Sequence, residues 1–461
     1  MTVQQIRILV TFLSGVFLGA LDQGIIGPAL TTIVRDFDIS PKWGVWAVTV
    51  YTLVYAVSMP ITAKLADRHG RRRIFMTGMA LFAAGSLICS FSGNLYQLLA
   101  GRAVQALGGG GILPVAVAEI GLAFPKEQRG RALGLYGATW GMASIVAPIL
   151  GGVVIQYLSW PWLFLINIPA AALIILLAAG VPEDLDPQVK AMDWRGALLV
   201  GAVIFCFMLG LTHIQGQKGW SGVWMPNVYL FLLAGLLLIP LLIRVEGKAE
   251  DPVVNPAFFQ NPRLVTVFAL AALSGMVMLT VLFLPAYVEY VLHFPAGKAS
   301  YMVVPLALAS VVTAPLGGFI VDRFGASRTL SLGFGATAAG SVVLAMLVER
   351  IGSPADVTTV HILSVTSGFI LLGGGLGLIV GSPLNTLVMS EVEKREVSSG
   401  LAVMTVIRSF GNTLGPVVMG GLLAAATGVG RPRDGFVDIF TALVVIALVG
   451  LLLTTRLREN G

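Results

Sequence analysis

Charged residues are scarce in this chain. Asp, Glu, Lys and Arg make up 11% of its 461 residues, against roughly 25% in soluble domains. This scarcity excludes an ordinary soluble enzyme. It also argues against a nucleic-acid-binding protein despite the net charge of +6, because the Lys and Arg residues are scattered between apolar runs and do not form one basic face.

Cysteine and histidine are scarce as well. Cys89 and Cys206 both lie within apolar runs, so no disulfide framework is indicated. The four histidines stand far apart, which excludes a metal centre or a clustered catalytic site. The sequence has no phosphate-binding G-x-x-x-x-G-K-[ST] loop, which excludes ATP as the direct energy source. We therefore expect no enzymatic activity, no metal and no cofactor.

Long apolar runs are abundant. A hydrocarbon core of roughly 30 Å is crossed by about 20 apolar residues in a helix, and the chain has fourteen such runs, which predicts an all-α polytopic membrane protein. The first run is too long for a signal-peptide core and no A-x-A site follows it, so we interpret it as an uncleaved span. The predicted spans are 8–34, 43–64, 74–92, 96–123, 131–158, 162–181, 196–213, 224–243, 264–288, 300–320, 330–348, 361–388, 398–426 and 437–454.

The joints, meaning the polar segments between these spans, are alternately rich and poor in Lys and Arg. Twenty of the 29 Lys and Arg residues lie in the N-terminal segment, in the joints after even-numbered spans and in the C-terminal segment. Short cytoplasmic loops carry the excess of Lys and Arg. The pattern predicts a multi-pass protein of the plasma (cytoplasmic) membrane with both termini in the cytoplasm.

An internal repeat lies beneath the hydropathy pattern. Asp67-Arg68-His69-Gly70 recurs as Asp322-Arg323-Phe324-Gly325 at an offset of 255, and Pro148 recurs as Pro416 at an offset of 268. Such parallel repeats are related by an axis along the membrane normal. The sequence predicts six-helix bundles at 1–181 and 263–461, joined by a linker, 182–262, that carries two inserted membrane helices.

Several segments together carry a family resemblance. Residues 63–73, which read Ala63-Lys64-Leu65-Ala66-Asp67-Arg68-His69-Gly70-Arg71-Arg72-Arg73, and the segment around Leu21-Asp22-Gln23-Gly24 resemble signatures of the major facilitator superfamily. The segment at 160–169 is similar to one typical of its fourteen-helix drug:proton antiporter branch, the EmrB/QacA type. The resemblance covers essentially the whole chain. It implies the major facilitator fold, with 14 transmembrane helices as 6 + 2 + 6, and antibiotic resistance by multidrug efflux coupled to a proton gradient.

The repeated motif has a physical interpretation as a gate. Asp67 could cap the N-terminus of a neighbouring helix, which carries about half a positive charge, and breaking that contact would open the cytoplasmic side. Positive-inside anchoring alone is an equally good account of the arginines. The predicted gating residues are Lys64, Asp67, Arg68, Gly70, Arg71, Asp322, Arg323 and Gly325.

Glycines beside two prolines suggest mobile helix contacts. Small residues let membrane helices approach closely, and a proline can bend a helix, so these positions could form a rocking interface. Simple tight packing explains them equally well. The set comprises Pro148, Gly151, Gly152, Pro416 and Gly420.

Asp22 and Arg102 are ionisable residues predicted deep in the bilayer. At a rise of about 1.5 Å per residue, they stand at the same height in spans 1 and 4, so an ion pair is allowed. A static pair is one interpretation. Because buried pairs add little net stability, we favour a pair that separates to load a proton and reforms to release it.

Other polar and aromatic residues could line a substrate cavity. Glu119 could instead pair with Arg129 or Arg131, and Glu289 could simply reach water. The sequence identifies no acidic partner for Arg408, which could bond backbone carbonyls near Gly411 or Pro416. The predicted cavity residues are Asp22, Gln23, Tyr51, Glu119, Trp140, Asn167, Glu289 and Arg408.

These features favour a secondary active transporter that exports amphipathic drugs, cationic ones included, by alternating access. The alternative is an exporter or symporter of a specific metabolite or lipid. A receptor or structural protein would not need charges near the middle of the membrane. We expect small amphipathic substrates, protons and membrane lipids as partners, no nucleic acid, and a monomer.

Overall fold

The computed structural model describes all residues except 40, 45, 183–192, 216–221, 223, 295–298, 352–356, 429–430 and 458–461. The described chain is helical and has no strand. Within the described residues, fourteen helices are long and apolar enough to cross a membrane, which confirms the predicted number. They are α1 Val3–Ala29, α2 Trp46–His69, α3 Arg71–Ser90, α4 Leu95–Ala123, α5 Lys126–Tyr157, α6 Trp162–Ala179, α7 Trp194–Ile214, α8 Pro226–Glu246, α9 Pro262–Leu292, α10 Tyr301–Phe324, α11 Ala326–Val348, α12 Thr359–Glu391, α13 Lys394–Thr427 and α14 Arg433–Thr455.

The same helices are interrupted in both halves of the chain. A short 3₁₀ turn, Gly27–Ala29, closes α1, and another, Thr280–Phe283, divides α9. α4 breaks at Gly110, and α12 breaks at Gly381, ahead of a proline that begins its last segment. Proline at the first helical position costs no hydrogen bond because that N–H has no partner in a helix. The interruptions therefore occur in corresponding helices of the two halves.

Glycines bring α5 and α13 into backbone contact with their neighbours. A Cβ atom added at Gly151 would lie 2.7 Å from the carbonyl oxygen of Ile25 in α1, and one added at Gly134 would lie 2.9 Å from that of Ala314 in α10. Gly152 has open space around it, and a Cβ at Gly420 would make only an ordinary contact. Close packing thus accounts for Gly151 and leaves Gly152 without a steric role.

The inserted helices lie beside the two bundles. α7 packs against α2, α13 and α8. α8 contributes few buried residues, with 11% of its most apolar window covered by the described protein, so most of its surface is available to lipid. The division into three regions at 181 and 263 stays a prediction.

One end of the bundle gathers the repeated motifs, and we call it the motif end. Gln5 near the start of the chain donates to the carbonyl of Ala123 at the end of α4 (3.1 Å). Ser327, at the start of α11, donates to the carbonyl of Thr454 (2.9 Å). Residues near both ends of the described chain therefore lie at the motif end.

Candidate functional site

A buried polar cluster lies within the first six helices. Asp22 and Arg102 are 0% and 1% exposed, and Arg102 Nη1 donates to Asp22 Oδ2 at 2.8 Å. The other carboxylate oxygen accepts from Gln105 Nε2 (2.8 Å) and from Asn167 Nδ2 (2.9 Å). The pair expected from the helical rise is present in the structure.

Arg102, like Asp22, makes several contacts within the cluster. Arg102 donates from Nε to the carbonyl of Ala47 (3.2 Å) and from Nη1 to Gln105 Oε1 (2.6 Å). Its guanidinium carbon lies 4.0 Å from the centre of the Tyr51 ring, within cation–π range. A buried ion pair is tolerated only when such additional bonds satisfy its remaining polar atoms.

Protonation of Asp22 would break the ion pair between Asp22 and Arg102. If Asp22 gains a proton, the cluster loses its negative charge and Arg102 is left as an uncompensated buried cation, which is strongly unfavourable. A helix movement that separates the two groups would then be favoured. Because Asp22 lies on α1 and Arg102 on α4, a proton on Asp22 would weaken the contact between these two helices.

Sequence reasoning missed two members of the cluster. Ser86 accepts hydrogen bonds from Gln105 (2.8 Å) and from Asn167 (3.3 Å). Uncharged polar residues in an apolar run resemble ordinary helix residues, so neither Ser86 nor Gln105 stands out. The available signal was spacing, since Gln105 lies three residues after Arg102 and therefore on the same helix face.

At the motif end, Asp67 of α2 caps the N-terminus of α13. Its carboxylate accepts from the backbone N–H groups of Ser398 (3.2 Å) and Ser399 (2.9 Å), and from Ser399 Oγ (3.0 Å). Arg71 completes this Asp67 cap by donating to the same carboxylate at 2.9 Å. Gly70, with φ of 97°, turns the chain into α3.

Asp322 of α10 makes the corresponding contact within the first two turns of α5, which begins at Lys126, and we call it the Asp322 cap. It accepts from the backbone N–H groups of Gly130 (2.6 Å) and Arg131 (3.1 Å), and the Arg131 guanidinium lies 3.5 Å away. Gly325, with φ of 88°, has the role of Gly70. The exposed Arg323 lies over the Phe324 ring and does not take part in this Asp322 cap.

A third contact of the motif end comes from the segment after the inserted helices. Asp251 pairs with Lys64 of α2 at 2.5 Å and with Arg68 at 3.8 Å. Asn255 of the same segment donates to Glu396 at the start of α13 (3.0 Å). The segment therefore spans the two helices that the Asp67 cap joins.

An apolar cavity of about 470 Å³ opens between α5, α9, α10 and α12. Among the predicted cavity residues, Trp140 lines it, whereas Asp22 and Asn167 are enclosed in the buried cluster. The cavity lining contains no acidic or basic side chain. Its residues are Gly137, Trp140, Gly141, Ser144, Ile145, Pro148, Met278, Leu279, Val281, Leu282, Leu306, Ala307, Ser310, Ala314, Leu376, Gly377, Val380 and Gly381.

The remaining predicted cavity residues are dispersed. Gln23 faces the hydroxyl groups of Tyr51 and Tyr55. Glu119 is half-buried near the motif end, and Glu289 is exposed at the other end of α9. Arg408 is buried in α13. No group of three or more His, Cys, Asp or Glu that could hold a metal occurs in the described part of the chain.

Comparison with known proteins places these features in context. The sequence model described as Major Facilitator Superfamily matches residues 12–416. The chain is 38% identical to the uncharacterized MFS-type transporter YfiU of Bacillus subtilis, over 90% of this chain and 79% of that protein. It is 30% identical to Multidrug resistance protein 3 of the same bacterium, over 88% and 77%.

A solved structure shares the fold. The proton:xylose symporter XylE, bound to 6-bromo-6-deoxy-D-glucose, aligns with a TM-score of 0.68 over 98% of this chain and 95% of its own, at 13% identity. At that identity the likeness concerns the fold alone. The matched proteins are transporters, and none of the three is an enzyme.

Proposed function

The chain belongs to the Major Facilitator Superfamily, and we propose that it is a proton-coupled exporter of amphipathic compounds of the fourteen-helix EmrB/QacA type. As a member of that family it is a multi-pass transporter of the membrane. The multidrug relative supports drug-like substrates, and the fourteen candidate spans support the branch.

The observation that carries the proposal is the fully buried Asp22, held by side chains from α4 and α6. Ionisable groups inside a membrane are costly and usually functional. Protonation of Asp22 would release Arg102 and loosen α1 from α4, and deprotonation would restore the contact. Proton uptake and release thereby drive a change in helix packing, as antiport requires.

The Asp67 and Asp322 caps supply the gate for this cycle. Each joins a helix of one half to a helix N-terminus of the other, so both must break for the motif end to open. In this proposal the motif end is cytoplasmic, and the described conformation is closed on that side. Substrate enters when the caps break and leaves after they reform.

The cavity supports amphipathic substrates over polar ones. Apart from Trp140, Ser144 and Ser310, its lining offers only backbone groups for hydrogen bonds. Sites for polar solutes need several precisely placed polar side chains. A sugar or similar polar metabolite is therefore disfavoured, and a specific lipid or apolar metabolite remains the alternative substrate.

Reconstituted protein tests the coupling. Liposomes containing a pH-sensitive dye and the purified full-length protein are challenged with a panel of amphipathic compounds, and proton movement is recorded. We expect substrate-induced proton flux with the wild type and none with Asp22→Asn, which cannot take up the proton.

The matched control is Asp36→Asn. Asp36 is an exposed carboxylate in the same half that accepts a hydrogen bond from Trp160 (2.8 Å), and its removal should leave the flux intact. Full coupled flux in Asp22→Asn would place the proton site elsewhere. Absence of flux in the wild type with every compound tested would count against antiport of these compounds.

A further inference from the structure

Arg408 is the second arginine buried within the bundle, and its surroundings differ from those of Arg102. Its side chain is 7% exposed. Nε and Nη2 have no hydrogen-bond partner among the described residues. The ionisable group that faces the guanidinium is the phenol of Tyr136 in α5.

No carboxylate among the described residues balances the charge of Arg408. Within the described part of the chain no acidic side chain lies within salt-bridge distance of it, whereas Arg102 is paired with Asp22 at 2.8 Å. Burying an unpaired charge with unmet donors is strongly unfavourable. A buried arginine with unpartnered donors could bind an anion that enters and leaves the protein.

The arginine faces the helix that forms one wall of the apolar cavity. Tyr136, which it faces, immediately precedes Gly137 of the cavity lining, and Trp140 lines the cavity one turn further along α5. The repeat offset of 268 between Pro148 and Pro416 equates Trp140 with Arg408. The two residues therefore occupy equivalent positions in the two halves, and Trp140 lies in the cavity wall.

A second polar group lies on the same face of α13. Asn412 is one helical turn beyond Arg408, and residues four apart share a helix face. Its buried side-chain oxygen also lacks a hydrogen-bond partner in the described structure. Together the guanidinium and the amide offer unpartnered donors and an acceptor inside the bundle, which matches a ligand with one anionic end.

We propose that Arg408 binds the anionic group of the transported compound, a carboxylate or sulfonate joined to an apolar or aromatic body that occupies the cavity. This inference rests on the proposed export function and narrows its substrate class. Arg102 cannot have this role because its guanidinium is already paired with Asp22. Arg forms paired, charge-assisted hydrogen bonds with carboxylates, which gives the site its selectivity for the anion.

Three probes that differ only at one end test the proposal: 1-pyrenebutanoate, 1-pyrenebutanol and pyrenebutyl-trimethylammonium. Binding to the purified full-length protein in detergent is followed by energy transfer from tryptophan to pyrene. We expect the carboxylate to bind about tenfold or more tightly than the alcohol, since hydrogen bonds to charged groups are the strong ones, and the ammonium probe to bind weakest.

Variants assign the preference to Arg408. Arg408→Gln should bring the affinity of the carboxylate probe to that of the alcohol, and Arg408→Lys should keep part of the preference. The control is Arg350→Gln, which changes an exposed arginine two residues after α11, remote from the motif end, and should behave as wild type. An unchanged preference in Arg408→Gln would overturn the assignment.

The wild-type comparison stands even if Arg408→Gln does not fold. Equal affinity for carboxylate and alcohol, or a preference for the ammonium probe, would reject an anion site without any variant. Binding in detergent needs no proton gradient. A failure of coupled flux in liposomes therefore leaves this result untouched, and a failure of anion preference leaves proton coupling untouched.

Discussion

Asp67 and Asp322 occupy corresponding places in the two halves but are held unequally. Asp67 accepts four hydrogen bonds, two from backbone N–H groups and two from the side chains of Arg71 and Ser399. Asp322 accepts two, both from the backbone of α5. Its neighbour Arg131 is 58% exposed, whereas Arg71 is 16% exposed.

The two copies of the motif therefore form caps of different strength. Both aspartates use the partial positive charge at a helix N-terminus, which the repeat preserves. The added strength at Asp67 comes from side chains that the second copy lacks, since the repeat offsets of 255 and 268 place Ala326 opposite Arg71 and Arg131 opposite Ser399. The Asp251 pairs further reinforce the Asp67 side. We therefore expect the two caps to contribute unequally to closure.

The largest effect is expected from Asp67→Asn. The amide keeps one acceptor oxygen and loses the charge and two or more hydrogen bonds, each worth about 1.5–3 kcal/mol when a charge is involved. Closure should weaken by more than about tenfold. The readout is maleimide labelling of Met389→Cys, with Cys89 and Cys206 replaced by alanine, because Met389 is buried against Gly121 at the motif end.

The control for this measurement is Asp36→Asn in the same reporter background, which should label at the unmodified rate. Transport by Asp67→Asn should fall in parallel while the amount of folded protein in the membrane stays the same. An unchanged labelling rate would mean that the motif serves membrane orientation alone.

Asp322→Asn should act in the same direction with a smaller effect. Asn caps helix N-termini about as well as Asp, so what is lost is mainly one charge and one of two hydrogen bonds. We expect Met389→Cys labelling to rise a few-fold, clearly less than in Asp67→Asn. Equal rates in the two variants would contradict the unequal caps described above.

The sequence predicted the membrane-spanning helices well, but it predicted only some of the contacts between them. Runs of about 20 apolar residues are a strong signal because only a helix satisfies backbone groups in lipid. The pairing of Asp22 with Arg102 followed from the helical rise. Asp251 was not predicted, because its partner Lys64 lies 187 residues away in the sequence, and a charge in a polar loop is ordinary. The predicted proton and substrate roles stay predictions.

The smallest effect is expected from Asp251→Asn, which removes the pairs with Lys64 and Arg68 but leaves the Asp67 cap intact. Asp251 is 21% exposed, and partly exposed pairs contribute roughly 0.2–1 kcal/mol, so labelling of Met389→Cys should rise by less than about fivefold. Raising salt from about 0.1 M to about 1 M shortens the screening length from roughly 10 Å to 3 Å. The difference in labelling rate between Asp251→Asn and wild type should then shrink. The difference between Asp67→Asn and wild type should persist, because Asp67 is 3% exposed. If salt instead abolished the Asp67→Asn effect and spared that of Asp251→Asn, the ranking of the contacts would be wrong, and the segment after the inserted helices would be the main closure of the motif end.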